Sequence, residues 1–414
     1  MRPLSFISQV VSGSKAAVRP NLSLSAEEQA QLADLLQDLV RIPSVSGQEG
    51  AVAARIVDYC HKVGLEPVTI DDAGNVLVQV GPDDGPALLY DAHMDTVSPP
   101  ANGWEFPPYE GSIKDHVLHG VGACDAKASL AAMLVGARKL VEAGPNLHGK
   151  LLLAFVVQEE PCEGCGLKAL VNFSGLRPDW VVLGEPSNLE IMRGHRGRVL
   201  FKVTVNGKSS HASNPEIGEN AITAAARLIF GIELLAADLP VDPILGAGTV
   251  AVTHIESRSA SMNAIPHTCT FYVDRRLTLG ETPTRAQAQI ESIIQREGIA
   301  AEISVVEYHA ESYAGYGFGI REEFAAWVLE EGHLLVQTMS GVVKAVQGRS
   351  PRIGEGFFST DGVWTMGEAG IPTIGFGPGN PKHAHTSLDQ VRLADVTAAA
   401  EAYAHLAAAL LAGD

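Results

Sequence analysis

Apolar positions recur at helical spacing over residues 25–63, broken at Ile42-Pro43-Ser44, so this stretch is expected to form two helices around a turn. Short apolar runs follow at 75–80, 87–92, 151–158 and 180–183, each reading as a buried strand. Between the second and third lies an Ala/Leu-rich segment, 126–143, closed by Gly144-Pro145. It reads as a helix with Asp125 as its N-cap. Strands and helices alternating in this way predict an α/β domain, its sheet mostly parallel and covered by helices on both faces.

The texture changes near Gly194. Residues 199–205, 248–257 and 268–277 alternate like half-buried strands, with helices expected at 220–237 and 284–296 and a strand at 301–307. That order suits a small α+β insert with an antiparallel sheet. From about Ser312 the buried style returns, ending in the apolar run 371–376. The expected organisation is an N-terminal extension (1–24), an α/β domain in two parts (25–193 and 311–414) and a smaller domain inserted at 194–310.

With 414 residues, 46% hydrophobic and 19% charged, the chain has the composition of a globular enzyme long enough for two domains. A net charge of −18 argues against a nucleic-acid or anionic-membrane surface. No apolar stretch approaches a membrane span. The N-terminus is a poor secretory signal, and five cysteines form an odd, sparse set, so a reducing cytoplasm is expected.

Candidate chemistry sits at the strand ends. His93 and Asp95 close the second strand, Glu159 and Glu160 the third, and Glu185 the fourth; Asp125 follows the turn Gly120-Val-Gly-Ala-Cys124, and His385 follows the last apolar run by a Gly/Pro-rich loop. In doubly wound sheets ligands bind beyond the carboxyl ends of the strands, so these groups are expected to converge. Two imidazoles with several carboxylates suit a divalent metal, above all zinc, with manganese or cobalt as substitutes. Adjacent carboxylates at Glu159-Glu160 repel each other unless a cation neutralises one, which leaves the other free as a base.

These residues fall in a series of motifs: His93-Met-Asp-Thr-Val97, Gly120-Val-Gly-Ala-Cys-Asp-Ala-Lys127, Gln158-Glu-Glu160, Gly184-Glu-Pro186, His211-Ala-Ser213, Asn263-Ala-Ile-Pro266, Asp274-Arg-Arg276 with Gly280-Glu281, and Gly377-Pro-Gly379 with His385. From about Ser25 to the C-terminus the chain resembles the M20 metallopeptidases, the acetylornithine deacetylase/succinyl-diaminopimelate desuccinylase/aminoacylase group. Arg193-Gly-His-Arg-Gly-Arg198, Asp274-Arg-Arg-Leu-Thr278 and Phe358-Ser-Thr-Asp-Gly362 look most like its YgeY-type branch. The resemblance implies two zinc ions bridged by Asp125, one completed by His93 and Glu185, the other by Glu160 and His385. It implies that Asp95 orients His93 and that Glu159 is the general base on a water between the ions. It further implies that the insert is a lid and dimerisation domain whose His211 reaches the partner's site in a homodimer. Asn263 and Arg276 would contact substrate, Arg276 meeting a carboxylate.

The chain departs from the family at Val363, where an arginine often follows Asp-Ala or Asp-Gly, and at Ala128, usually glycine. Glu at position 185 is commoner in the family's deacylases than in its aminopeptidases and carboxypeptidases. The expected activity is therefore hydrolysis of a small N-acylated amino acid, with a dipeptidase or carboxypeptidase as the alternative and a non-catalytic binding protein as a remote one. Cys162-Glu-Gly-Cys165 has metal or redox spacing but no second pair, and is expected to be two buried thiols.

Overall fold

A computed structural model describes residues 21–356 and 358–413. Residues 1–20 of the expected extension lie outside the described residues; Leu22 and Leu24, at its end, are buried. Helix Ala26–Arg41 starts with a capping box, Ser25 and Glu28 each bonding the other's backbone N–H. Helix Gly50–Val63 stops at Gly64, whose φ of 73° continues the chain in the left-handed region.

The main sheet has eight strands in the order Val68–Ile70, Val76–Val80, Lys150–Val156, Ala87–His93, Trp180–Leu183, Thr373–Gly375, Ile191–Met192, Ile353–Gly354. The four central strands run parallel, and the pair at the first edge is antiparallel. Every residue of Ala87–His93 is buried. Alternate side chains of a strand point to opposite faces, so both faces of the sheet are covered there. Helices Lys127–Ala143 and Leu393–Leu411 pack on this strand and on each other. At Gly136 a Cβ would lie 2.6 Å from the Ala400 carbonyl oxygen, so only glycine permits this close crossing.

A second apolar core runs from Val199 to Val305. Its antiparallel sheet has the order Thr249–Arg258, Thr268–Leu277, Gly197–Asn206, Ala301–Val305, with Glu323–Phe324 also pairing onto Gly197–Asn206. Gly197–Asn206 alternates buried and exposed positions, burying Val199, Phe201, Val203 and Val205 against helices Ala221–Leu235 and Pro283–Glu297. Tyr308 packs instead against the first core. It belongs to a hairpin, Glu307–Glu311 with Gly317–Arg321, that grows directly out of the lid strand Ala301–Val305.

Several boundaries differ from expectation for local reasons. The strand expected at 151–158 ends at Val156, because Gln158 takes a left-handed φ of 61° and turns the chain. The expected helix 220–237 stops at Leu235 and gives way to a 3-10 turn, Ala236–Asp238. Asp125 is not a helix cap: the helix starts at Lys127 after Ala126, without a side-chain cap, and the Asp125 carboxylate is used elsewhere.

Candidate active site

Strand register brings the site together. His93 pairs with Val156 and Asp91 with Leu183, so three neighbouring strands finish at one edge. Glu159 lies three residues past one end and Glu185 two past another. The His93 ring donates from Nδ1 to the Asp95 carbonyl oxygen at 2.9 Å, and its Nε2 is left facing Asp125 Oδ1 at 3.0 Å. Orientation thus comes mainly from the Asp95 backbone; the nearest carboxylate oxygen of Asp95 is 3.6 Å from Nδ1. That carboxylate instead accepts from Ser46 Oγ (2.7 Å) and from the backbone N–H groups of Glu159 (3.1 Å) and Glu160 (3.2 Å).

Asp125 lies between the two imidazoles, Oδ1 toward His93 and Oδ2 3.6 Å from His385 Nε2. His385 Nε2 is 2.8 Å from Glu160 Oε2. Two triads have donor atoms that all lie within 4.8 Å of one another: His93, Asp125 and Glu160, and His93, Glu159 and Glu185. Burial, then the charge of Glu185, pushes Glu159 well above the usual carboxylate range. Burial and Asp125 do the same to Glu185. Burial also raises Glu160, against the hydrogen bond from His385. Burial opposes charging His93, but its bonds to Asp125 and Asp95 prevail and hold it well above an ordinary histidine.

This donor set fits divalent cations. Two ligands ~2.0–2.1 Å from a tetrahedral ion sit roughly 3.3 Å apart, close to the His93–Asp125 and His385–Glu160 spacings. Glu160 Oε1 is buried without a hydrogen-bond partner, the position of an oxygen whose partner is a cation, and Glu159 Oε1 beside it is buried and free as well. Four acids against two imidazoles leave an excess of negative charge that an ion would neutralise.

The cleft over these groups, about 530 Å³, is lined by Asp125, Glu159, Glu160, Glu185 and His385 and, from the lid, by Arg198 and Arg276. Arg276 bonds Asp274 (2.8 Å) and keeps a partly exposed guanidinium. Arg275, on the opposite face of the strand, is buried against Glu281. His211 and Asn263 do not line this cleft. They lie together on the lid, where Ala212 N donates to the Asn263 carbonyl (2.8 Å), and His211 is exposed, its Nδ1 2.7 Å from Ser213 Oγ.

Residues 89–409 match the sequence profile of Peptidase family M20/M25/M40. The chain belongs to the M20 family. This M20 chain is 35% identical over 385 residues to the uncharacterized protein YgeY of Escherichia coli K12, covering 92% of this chain and 95% of YgeY. It is 28% identical over 392 residues to succinyl-diaminopimelate desuccinylase of Pseudomonas fluorescens, covering 90% and 97%. In fold it is similar to the crystal structure of Bacillus subtilis YXEP protein, a dinuclear metal-binding peptidase of the family, with a TM-score of 0.68, 17% identity and coverage of 94% and 98%. It is a metal-dependent hydrolase of amide bonds.

Other residues of the M20 site have no role assigned from the sequence, although Arg198 and Asp361 stand in the motifs that resemble the YgeY-type branch. Glu49 is fully buried beneath the Glu159 loop and accepts from Gln158 N (3.3 Å). Asp389 accepts from Gly122 N and Cys124 N, both 2.7 Å, and so grips the loop that delivers Asp125. Asp361 accepts from Gly164 N and bonds Asp91 behind His93; burial raises its carboxyl to about 6. Arg198 bonds Glu163 (2.8 Å) and Glu322 (3.1 Å), tying the lid to the turn after Glu160. Cys162 and Cys165 are free and buried in that turn.

Proposed function

We propose that this M20 enzyme is a di-zinc amidohydrolase that removes the acyl group from a small N-acylated amino acid. The observation that carries the reading is the convergence of two imidazoles and four carboxylates under Arg276, with one oxygen of each of Glu159 and Glu160 unpartnered. His93, Asp125, Glu160, Glu185 and His385 would hold the ions, with manganese or cobalt as substitutes. When bound, the ions supply Lewis acidity to the attacking water and the scissile carbonyl.

The chain's own groups supply the rest. Glu159 takes the proton of the attacking water at its free oxygen and passes it to the leaving amine. Asp95 holds the Glu159 and Glu160 amides and the His93 ring in place. The Arg276 guanidinium meets the carboxylate of the amino acid. Residues 194–310 act as lid and dimerisation domain, and His211, outside its own chain's cleft, donates to the oxyanion in the partner's site of a homodimer. An exposed outer strand, Thr249–Arg258, and the exposed Phe230 and Leu234 on helix Ala221–Leu235 support pairing through the lid. Five buried free thiols suit a reducing cytoplasm.

The relative that is a desuccinylase supports an acylated amino acid over a dipeptide, as does Glu at position 185. The test is a screen of zinc- and manganese-loaded protein against N-acetyl and N-succinyl amino acids and against dipeptides. Turnover of acyl amino acids that stops on chelation and returns with metal is expected; preferential cleavage of dipeptides would replace this reading by the peptidase one.

A further inference from the structure

Gln158 is held by three residues on two separate elements, Glu49 before helix Gly50–Val63 and Tyr308 and Glu311 on strand Glu307–Glu311. Its backbone N–H donates to Glu49. Its side-chain oxygen accepts from the Tyr308 hydroxyl, and its amide donates to the Glu311 carbonyl at 3.4 Å. The side chain is buried, and a Cβ at Gly47 would come within 3.3 Å of its Nε2, so it has little room to find other partners. Its left-handed φ aims the next residue, Glu159, into the cleft.

Tyr308 and Glu311 belong to the hairpin that leaves the lid sheet without a break. Ala301–Val305 pairs with Gly197–Asn206, Val306 N donates to Leu200 O, and the hairpin starts at Glu307. Its return strand leads through Glu322, whose N–H bonds Val306 O, back into the lid at Glu323–Phe324. Tyr313, at its tip, donates to Gly74 O (2.8 Å) on the first core. A two-stranded arm of the lid therefore runs along the residue that precedes the base and is anchored at its tip on the first core.

We propose that Tyr308 is a positioning residue for Glu159, acting through Gln158 to fix the 158–160 backbone according to the placement of the lid. Asp95 holds the Glu159 and Glu160 amides from one side, and the Tyr308–Gln158 contact holds the turn from the other. This rests on the reading of Glu159 as the base.

Two variants test it. Tyr308→Phe keeps the ring and removes the hydroxyl. Gln158→Asn keeps a residue type that tolerates the left-handed region but is too short to reach Tyr308. Hydrogen exchange, read by mass spectrometry on metal-free and metal-loaded protein, needs no substrate: the Glu159 and Glu160 amides should exchange about tenfold faster in either variant, as expected for losing one net hydrogen bond, with strand Lys150–Val156 unchanged. With the best substrate of the acyl amino acid and dipeptide screen, kcat should fall about tenfold or more at nearly constant KM and full metal content. Added to Glu159→Gln, Tyr308→Phe should lower kcat no further, because there is no base left to misplace. Unchanged exchange at Glu159 and Glu160, or an equal loss of kcat with and without Glu159, overturns the proposal. Full activity of Glu159→Gln would instead overturn the base assignment, and the exchange result would still report on the Tyr308 contact.

Discussion

Replacing Glu49 by glutamine should make the metal-free protein more stable at pH 8 and leave it nearly unchanged at pH 5. Burial, with the charge of Asp95 behind it, raises the Glu49 carboxyl from 4.5 to about 7. One oxygen, Oε1, accepts from Gly47 N at 2.8 Å and Gln158 N at 3.3 Å, and the other, Oε2, has no partner. A group raised in the folded state keeps a proton that the unfolded chain releases. Stability from this group is therefore full below pH 4.5 and falls as pH climbs to about 7. That interval, at ~1.4 kcal/mol per pH unit, amounts to roughly 3 kcal/mol. Glutamine retains the accepting oxygen and cannot ionise, so Glu49→Gln should recover most of that loss. Urea unfolding at pH 5, 6, 7 and 8, after exhaustive chelation, measures it. The two proteins should track each other at pH 5 and separate progressively to ~2–3 kcal/mol at pH 8. Curves that stay parallel across the range would show that Glu49 does not carry the proton. In metal-loaded protein the gap should narrow, because cations beside Asp95 favour an ionised Glu49.

Three other outcomes follow from the site. Glu159→Gln should retain both metals by elemental analysis and lose about 10²–10⁴ in kcat, whereas Glu160→Gln should lose metal; the reverse pattern would exchange their roles. His211→Ala should cost ~10²–10³ in rate, and mixing it with Glu159→Gln should restore activity on subunit exchange, one site of each mixed dimer being intact; no recovery with exchange verified by a label would place His211 in its own subunit or outside catalysis. Arg276→Ala should raise KM with little change in the unfolding midpoint, while Arg275→Ala, which strands the buried Glu281, should destabilise the lid by about 3–5 kcal/mol; similar behaviour of the two would contradict their opposite facing.

The parallel core was legible because its strands are short continuous apolar runs bounded by turn residues, and the acidic and imidazole groups stand where those runs stop. What the sequence left ambiguous is a carboxylate with two plausible tasks. An aspartate before an Ala/Leu-rich helix reads as a cap, and Asp125 has that position, yet its oxygens go to His93 and His385 while the helix starts uncapped. Local rules give way where a site needs the side chain. Contacts made across long stretches of chain were illegible altogether. Asp389 holds Cys124 from 265 residues away, and Glu49 holds Gln158 from 109. The hairpin Glu307–Glu311 with Gly317–Arg321 left no trace either, since its first strand has only exposed and half-buried positions and its second buries Phe318 alone.

Asp95 shows why the site's arrangement is more than the sum of its donors. Its backbone oxygen accepts from His93 Nδ1, which turns Nε2 toward Asp125 and the cleft, and its carboxylate takes two consecutive backbone N–H groups. A carboxylate that accepts several hydrogen bonds stays ionised even in a buried place, and the nearby His93 ring with the bonds from Ser46 and the Glu159 N–H outweighs burial and keeps Asp95 below its ordinary value. So a negative charge lies behind an imidazole and two glutamates, close enough to add to burial in raising the neighbouring carboxyls of Glu49 and Asp361. An apolar or neutral residue at 95 would relieve that repulsion, but it would release the amides that aim Glu159 and Glu160. The same group that makes the metal-free cluster unfavourable is the one that preorganises it, and divalent cations are the partner that reconciles the two.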